Sequence, residues 1–322
     1  MGREGNSLEL RAQKLVEEGL KAYDNSEIRK AVSLLNEAVP LLKQANNIDL
    51  VQNVLSEMGQ IHYEIGDYQA ALEDLKEKLE IVRETGDRKE EMETLIGLGH
   101  INLLLNNYRS VLKYFKKALS LTREVGDRES ERTVVLGIGT VHDRLQNYYS
   151  ALRYYNETAR IDHELRNHED EGDVIILGAK VYMKMKKYSA ALINFWQAYK
   201  VISGTKNRIG KAMALRGIGD AYSEMKDHEN ALTHYVESLD IYRELGNLVQ
   251  EGDILRKMGE LYAEQKIYMD AIKYLEDALQ LTKQIKSHRN EKTLKATIKE
   301  LQKASKIYGI HPKYFHLNLT KN

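Results

Sequence analysis

The chain has 322 residues, 42% of them hydrophobic, and 48 basic side chains balance 48 acidic ones. That apolar content excludes a disordered chain, and the zero net charge excludes attraction of the whole molecule to nucleic acid or to an anionic membrane. The lack of cysteine excludes disulfides, thiolate metal sites and a cysteine nucleophile.

Residues 1–11, "MGREGNSLELR", hold no apolar run of signal-peptide length and are read as an N-terminal extension. From residue 12 onward the chain repeats itself every forty residues. Small residues recur at Gly19, Gly59, Gly99, Gly139, Ala179, Gly219 and Gly259. Nine positions on stand Ile28, Tyr68, Tyr108, Tyr148, Tyr188, His228 and Tyr268. Three further on stand Ala31, Ala71, Val111, Ala151, Ala191, Ala231 and Ala271, and after four more Leu35, Leu75, Phe115, Tyr155, Phe195, Tyr235 and Leu275. A fixed period of this length marks a repeat architecture. It gives seven copies: 12–51, 52–91, 92–131, 132–171, 172–211, 212–251 and 252–291.

Each copy reads as two helices. In the second, Val54, Leu55, Met58, Ile61 and Ile65 recur at helical spacing, as do Ala71, Leu72, Leu75, Leu79 and Val82 after the turn. Gly66-Asp67 closes the first helix, and later copies put Asn106-Asn107 and Gln146-Asn147 there. The small residues let the second helix approach the first. Gly86, Gly126 and Gly246 stand where the second helix ends, each followed by an N-cap, Asp87, Asp127 or Asn247. Asn47, Asn167 and Asn207 hold that cap in other copies. Glu91, Glu131, Glu171, Glu251 and Glu291 fall in the next helix's first turns and are read as structural. Residues 292–308 read as a capping helix with Leu294, Ile298, Leu301 and Ile307 on one stripe. Gly309 ends it, and residues 309–322 form a tail whose Tyr314, Phe315 and Leu317 either dock on a neighbouring repeat or fray. The chain has only two prolines, Pro40 and Pro312, which favours helix throughout.

These positions together resemble the tetratricopeptide repeat signature over residues 12–291. The forty-residue form, with "ETGDRKEE", "EVGDRESE" and "ELGNLVQE" at its junctions, is similar to the repeats of Pins/LGN adaptors, kinesin light chains and bacterial Rap-type regulators. The resemblance implies an all-α fold: a right-handed superhelical solenoid of about seven helical hairpins plus a C-terminal capping helix. It also implies a concave groove lined by the first helices. The asparagine pair by which Pins/LGN repeats hold a ligand is absent, since the matching positions are Glu57 and Gln60, Gly97 and His100, Gly137 and Thr140, Leu177 and Lys180, Gly217 and Asp220. That family's ligand is therefore not carried over.

No phosphate loop is present: the glycines of "GIGTVH" and "GIGDAY" follow no strand and belong to the repeat. His62 and His142 share a phase with Tyr182, Tyr222 and Tyr262, which assigns them to packing, and Trp196 beside Phe195 is read the same way. His311 and His316 have no third ligand nearby, so no metal site is expected. Neither a cofactor nor an enzymatic activity is expected. The function expected is that of a cytoplasmic, non-catalytic adaptor binding a protein or peptide ligand in the groove, with no nucleic acid and no membrane span. A peptide-responsive regulator of the Rap type and a structural subunit of a cytoskeletal or motor-associated assembly are the alternatives. The groove residues expected from repeat phase are Tyr63, Glu64, His100, Leu103, Leu104, Thr140, Asp143, Arg144, Lys180, Met183, Lys184, Arg216 and Asp220. The oligomeric state is not legible in the sequence.

Overall fold

The computed structural model describes residues 2–286 and 288–307, and among them it contains fifteen α-helices and no strand. They are α1 (Gly2–Asp24), α2 (Ile28–Gln44), α3 (Ile48–Glu64), α4 (Tyr68–Thr85), α5 (Arg88–Leu104), α6 (Tyr108–Val125), α7 (Arg128–Arg144) and α8 (Tyr148–Leu165). There follow α9 (His168–Lys184), α10 (Tyr188–Ile202), α11 (Arg208–Glu224), α12 (His228–Glu244), α13 (Leu248–Glu264), α14 (Tyr268–Gln284) and α15 (His288–Ile307). The chain divides into two compact units, residues 1–154 and 155–322.

The repeat is written first in the backbone. Left-handed residues recur every twenty positions: Ser26, Asn46, Gly66, Gly86, Asn106, Gly126, Gln146, Arg166, Lys186, Lys226, Gly246, Lys266 and Lys286. Each follows a helix, and at most of them the next amide turns back onto that helix; the Asn107 N–H, for example, donates to the Asn102 carbonyl at 2.8 Å. Position 206 is the exception. There α10 stops early at Ile202, and the Thr205 N–H returns to the Ile202 carbonyl at 2.8 Å. The irregular "ISGTKN" is the sequence of that altered exit.

Glycine adopts this conformation without a Cβ clash, as at Gly126 (φ 79°), whereas Gln146 (φ 59°) adopts it at a cost of roughly 1–2 kcal/mol. Because glycine also loses more backbone entropy on folding, Gln146→Gly is expected to raise stability by about 0.5–1 kcal/mol. Urea denaturation checks this; a midpoint at or below that of the wild type would show that the left-handed turn carries no strain.

Short polar residues then start the next helix. Asn47 accepts from the Leu50 N–H (3.1 Å), Asp67 from Ala70 (3.1 Å), Asp127 from Ser130 (3.0 Å) and Asn207 from Gly210 (2.7 Å). The forty-residue frames beginning at 52, 92, 132, 172, 212 and 252 start four residues inside α3, α5, α7, α9, α11 and α13. Residues 2–11, set apart in the sequence, are helical as part of α1, where the Asn47 amide donates to Glu9 (2.7 Å).

Hairpins pack as α1 on α2, α3 on α4, α5 on α6, α9 on α10, α11 on α12 and α13 on α14. The positions Ala31, Ala71, Val111, Ala151, Ala191, Ala231 and Ala271 are all wholly buried. In the first unit, Phe115 of α6 lies between Gly99 of α5 and Gly137 of α7. A Cβ added at those glycines would fall 2.1 and 2.3 Å from its ring. In the second unit Phe195 of α10 stands in the same relation to Gly217, at 2.3 Å. Glycine at these points lets a ring replace a helix's own side chain as the filler between layers. In α15, Leu294 and Ile298 are buried with Leu301 packed beside them. Ile307's side chain, Gly309 and the tail with His311, Tyr314, Phe315, His316 and Leu317 lie outside the described residues.

Candidate functional site

The first helices of successive hairpins carry all the residues singled out by repeat phase, and the structure places them differently in each unit. In the first unit, Glu64 at the end of α3 accepts from Gln60 (2.7 Å) and from the Tyr23 hydroxyl. These two hydrogen bonds, Tyr23's first, lower the pKa of Glu64, and the same bond raises that of Tyr23. Tyr63 is 40% exposed and its ring lies 5.8 Å from that of Tyr68. On α5, Leu104 is 48% exposed, whereas Leu103 packs against the core formed around Phe115. His100 sets its ring edge-on to Phe115 at 5.4 Å, and burial of the imidazole lowers its pKa. On α7 the Thr140 hydroxyl donates to the Leu136 carbonyl of its own helix (2.9 Å), Asp143 is half-buried and Arg144 is exposed. Leu103 and Thr140 thus have their main contacts inside the unit.

In the second unit a polar network joins α11 and α13, and Lys180 of α9 feels its charges. Asp220 of α11 accepts the Tyr235 hydroxyl (2.7 Å) and faces the Lys257 ammonium at 3.0 Å. Arg216, one turn earlier, donates to Gln250 (2.5 Å) and pairs with Asp253 at 3.3 Å. Asp253 is also held by Arg256 (2.7 Å), which reaches Glu260 as well (2.5 Å). Burial opposes the charge on Asp253, but the Arg256 hydrogen bond and the charges of Arg216 and Lys257 outweigh it, and its pKa falls. Tyr235 is pushed the other way, chiefly by burial and then by the Asp220 charge, so its phenol stays protonated as a donor. On α9 the Lys180 pKa is lowered by desolvation of its ammonium and by the Arg216 charge, even though the side chain keeps surface exposure. Lys184, one turn on, is exposed, and Met183 packs against the core while lining a cleft of about 250 Å³. Asp220, Ser223, Glu224, Tyr235, Lys257 and Glu264 are among the cleft's other walls.

Tyr235 was not legible as part of this site. It occupies the core position held by Leu35, Leu75, Phe115, Phe195 and Leu275 in other copies. Its hydroxyl is the signal that was there to read: a buried phenol needs an acceptor, and Asp220 supplies it. The phase of His62 and His142 proves to be a pairing position between the two helices of a hairpin. His62 meets Asp74 at 2.6 Å, His142 stacks on Tyr154 (5.5 Å, 6°), Tyr222 on His234 (5.8 Å, 13°) and Tyr262 on Tyr274 (5.3 Å, 4°). Trp196 joins neighbouring second helices, with its ring 5.2 Å from that of His234.

Among the described residues no helix is long and apolar enough to cross a membrane. Residues 50–124 and 178–244 match the family model described as tetratricopeptide repeat. No curated protein matches the chain. Among solved structures, the apo form of RapI is similar at a TM-score of 0.55 and 15% identity, over 86% of this chain and 99% of that one. A signal transduction ATPase with numerous domains and a tetratricopeptide repeat sensor, from Pyrococcus horikoshii, aligns at a TM-score of 0.60 and 16% identity, over 86% of this chain and 47% of that one. Nearly identical repeats of a putative kinesin light chain from Podosopora anserina align at 0.52 and 12%, over 61% of this chain and 96% of theirs. At these identities the likeness is one of fold.

Proposed function

This chain carries tetratricopeptide repeats, and on that premise we propose that it is a cytoplasmic, non-catalytic adaptor whose first-helix row holds a peptide segment of a partner protein. As a class, tetratricopeptide repeat proteins are generally non-catalytic scaffolds that bind other proteins. The observation that supports a peptide ligand here is the polar row of α9, α11 and α13. Arg216, Asp220, Asp253 and Lys257 are largely shielded from water, which strengthens each interaction with an incoming charge. Lys180 is the member best suited to a partner's carboxylate. Burial and the Arg216 charge disfavour its charged form while Asp173 and Asp220 favour it, and an added anion would act in the same sense as those two carboxylates. Lys184 adds a second positive charge one turn away. In the first unit, exposed Leu104 and Tyr63 supply apolar area of the kind that peptide anchors cover. Each unit therefore offers its own candidate surface, Tyr63, Leu104 and Arg144 in the first, and Lys180, Met183, Lys184, Arg216 and Asp220 in the second.

The test is affinity capture from cell extract followed by mass spectrometry of the bound proteins. Alanine at Leu104, Arg144 and Lys184 together is expected to abolish capture of the partners held by the wild type while leaving helical circular dichroism unchanged. Equal capture by the triple variant would remove the row as the binding surface.

A further inference from the structure

Two successive junctions between hairpins, at the ends of α4 and α6, hold the same ionic clamp, and at the next junction its chemistry has changed. At the exit of α4, Arg83 donates to Glu91 of α5 at 2.9 Å, and Arg88 reaches the same carboxylate at 3.3 Å. Forty residues on, Arg123 donates to Glu131 at 2.8 Å and Arg128 closes on its other oxygen. In both copies a carboxylate with little exposure, 13% and 6% for the side chain, sits between two guanidinium groups. Forty residues further, the carboxylate is kept as Glu171, 11% exposed, but both arginines have become histidines, His163 and His168. Each imidazole presents Nδ1 to the same Glu171 oxygen, Oε2, at 3.2 Å.

Arginine carries its charge throughout the physiological range, and histidine carries one only when protonated. The exchange therefore removes two fixed positive charges from a carboxylate that the fold still shields. It also creates a donor set that arginine cannot offer: two imidazole nitrogens and a carboxylate oxygen, all within 4.8 Å of one another. In a tetrahedral zinc site, bonds of roughly 2.0–2.1 Å put neighbouring ligand atoms about 3.3 Å apart. Both nitrogen-to-oxygen separations here match such an edge. The exposed side of the histidines, 69% and 51% for their side chains, leaves the fourth position to water.

We propose that His163, His168 and Glu171 form a binding site for a divalent transition cation of the zinc class. The ion replaces the paired arginines as the positive centre of this junction and ties the end of α8 to the start of α9. Imidazole nitrogens select against magnesium and calcium, which prefer all-oxygen shells. The carboxylate was legible in the repeat period, but the convergence of the histidines depends on the turn at Arg166 (φ 61°) that brings residue 163 beside residue 168.

Sister copies of the repeat supply a variant that keeps the fold. His163→Arg with His168→Arg rebuilds the clamp of the two preceding junctions. Isothermal titration of the full chain with zinc chloride at neutral pH is expected to show one ion bound per wild-type chain in the micromolar range. That binding is expected to be lost in the double-arginine variant, whose unfolding midpoint without metal equals or exceeds that of the metal-free wild type. It is retained when His311 and His316 are both replaced by alanine. Magnesium chloride at the same concentration gives no heat of binding. Absence of zinc binding by the wild type, or equal binding by the double-arginine variant, would overturn the proposal.

Discussion

Gly99→Ala is expected to destabilise the chain by up to about 2 kcal/mol, although alanine is the better helix former by about 1 kcal/mol. Gly99 lies inside α5, so its backbone gains from the substitution. Its new methyl carbon, however, would fall 2.1 Å from one ring carbon of Phe115 and 2.4 Å from another. A ring held on one side only would slide away. Phe115 is wholly buried, and on its far face Gly137 of α7 stands at 2.3 Å by the same measure. Overpacking of this kind costs roughly 1–3 kcal/mol, with backbone shifts to follow. The same substitution at Gly59 is expected to do less harm, because the neighbour there is the flexible Leu75 side chain at 3.2 Å. Chemical denaturation of the two variants, compared side by side, measures the difference.

Glu131→Gln is expected to cost about 1–3 kcal/mol at neutral pH, the usual range for losing charge-assisted hydrogen bonds at a shielded site. Glu131 is buried, with Arg123 on one carboxylate oxygen and Arg128 on the other. Desolvation works against its charge, but the two arginines outweigh it and hold its pKa below the ordinary 4.5. The sign of the pH dependence follows. A carboxylate whose folded pKa is depressed contributes stability above its unfolded value, and that contribution fades as the pH falls through the lowered folded value. The difference between wild type and variant is therefore expected to be constant above about pH 5 and to shrink as the pH drops below about 4. Denaturation midpoints measured across that range check it. A difference that persists undiminished into strong acid would mean that the clamp acts through packing and not through charge.

The period of the sequence was enough to read the hairpins, because its recurring residues each have one local job. Gly86 and Gly126 end helices, Asp87 and Asp127 start them, and Ala71 and Val111 allow close approach. Such roles depend on neighbours within a few residues or on one partner helix, so they survive translation by forty positions. The first-helix row was legible only as a face. Phase places Leu103, Leu104 and Thr140 on it, but it cannot say that Leu103 turns into the core or that the Thr140 hydroxyl bonds back to Leu136. Rotamer and helix crossing decide those outcomes. The Asp220 site shows the same limit, since Tyr235 reaches it from the second helix of the hairpin and Lys257 from the next hairpin.

Neighbouring hairpins nest through glycine-to-ring contacts placed by the forty-residue period. The most direct measurement of that claim is a double-mutant cycle of Gly99→Ala and Phe115→Leu, read by urea denaturation. Leucine is what the preceding copy holds opposite its own glycine, Gly59, so shrinking the ring makes room for the added methyl group. The combined variant is expected to lose at least about 1 kcal/mol less than the sum of the two single losses. Strictly additive losses would contradict the nesting, and with it the reading of the repeat on which the rest is built.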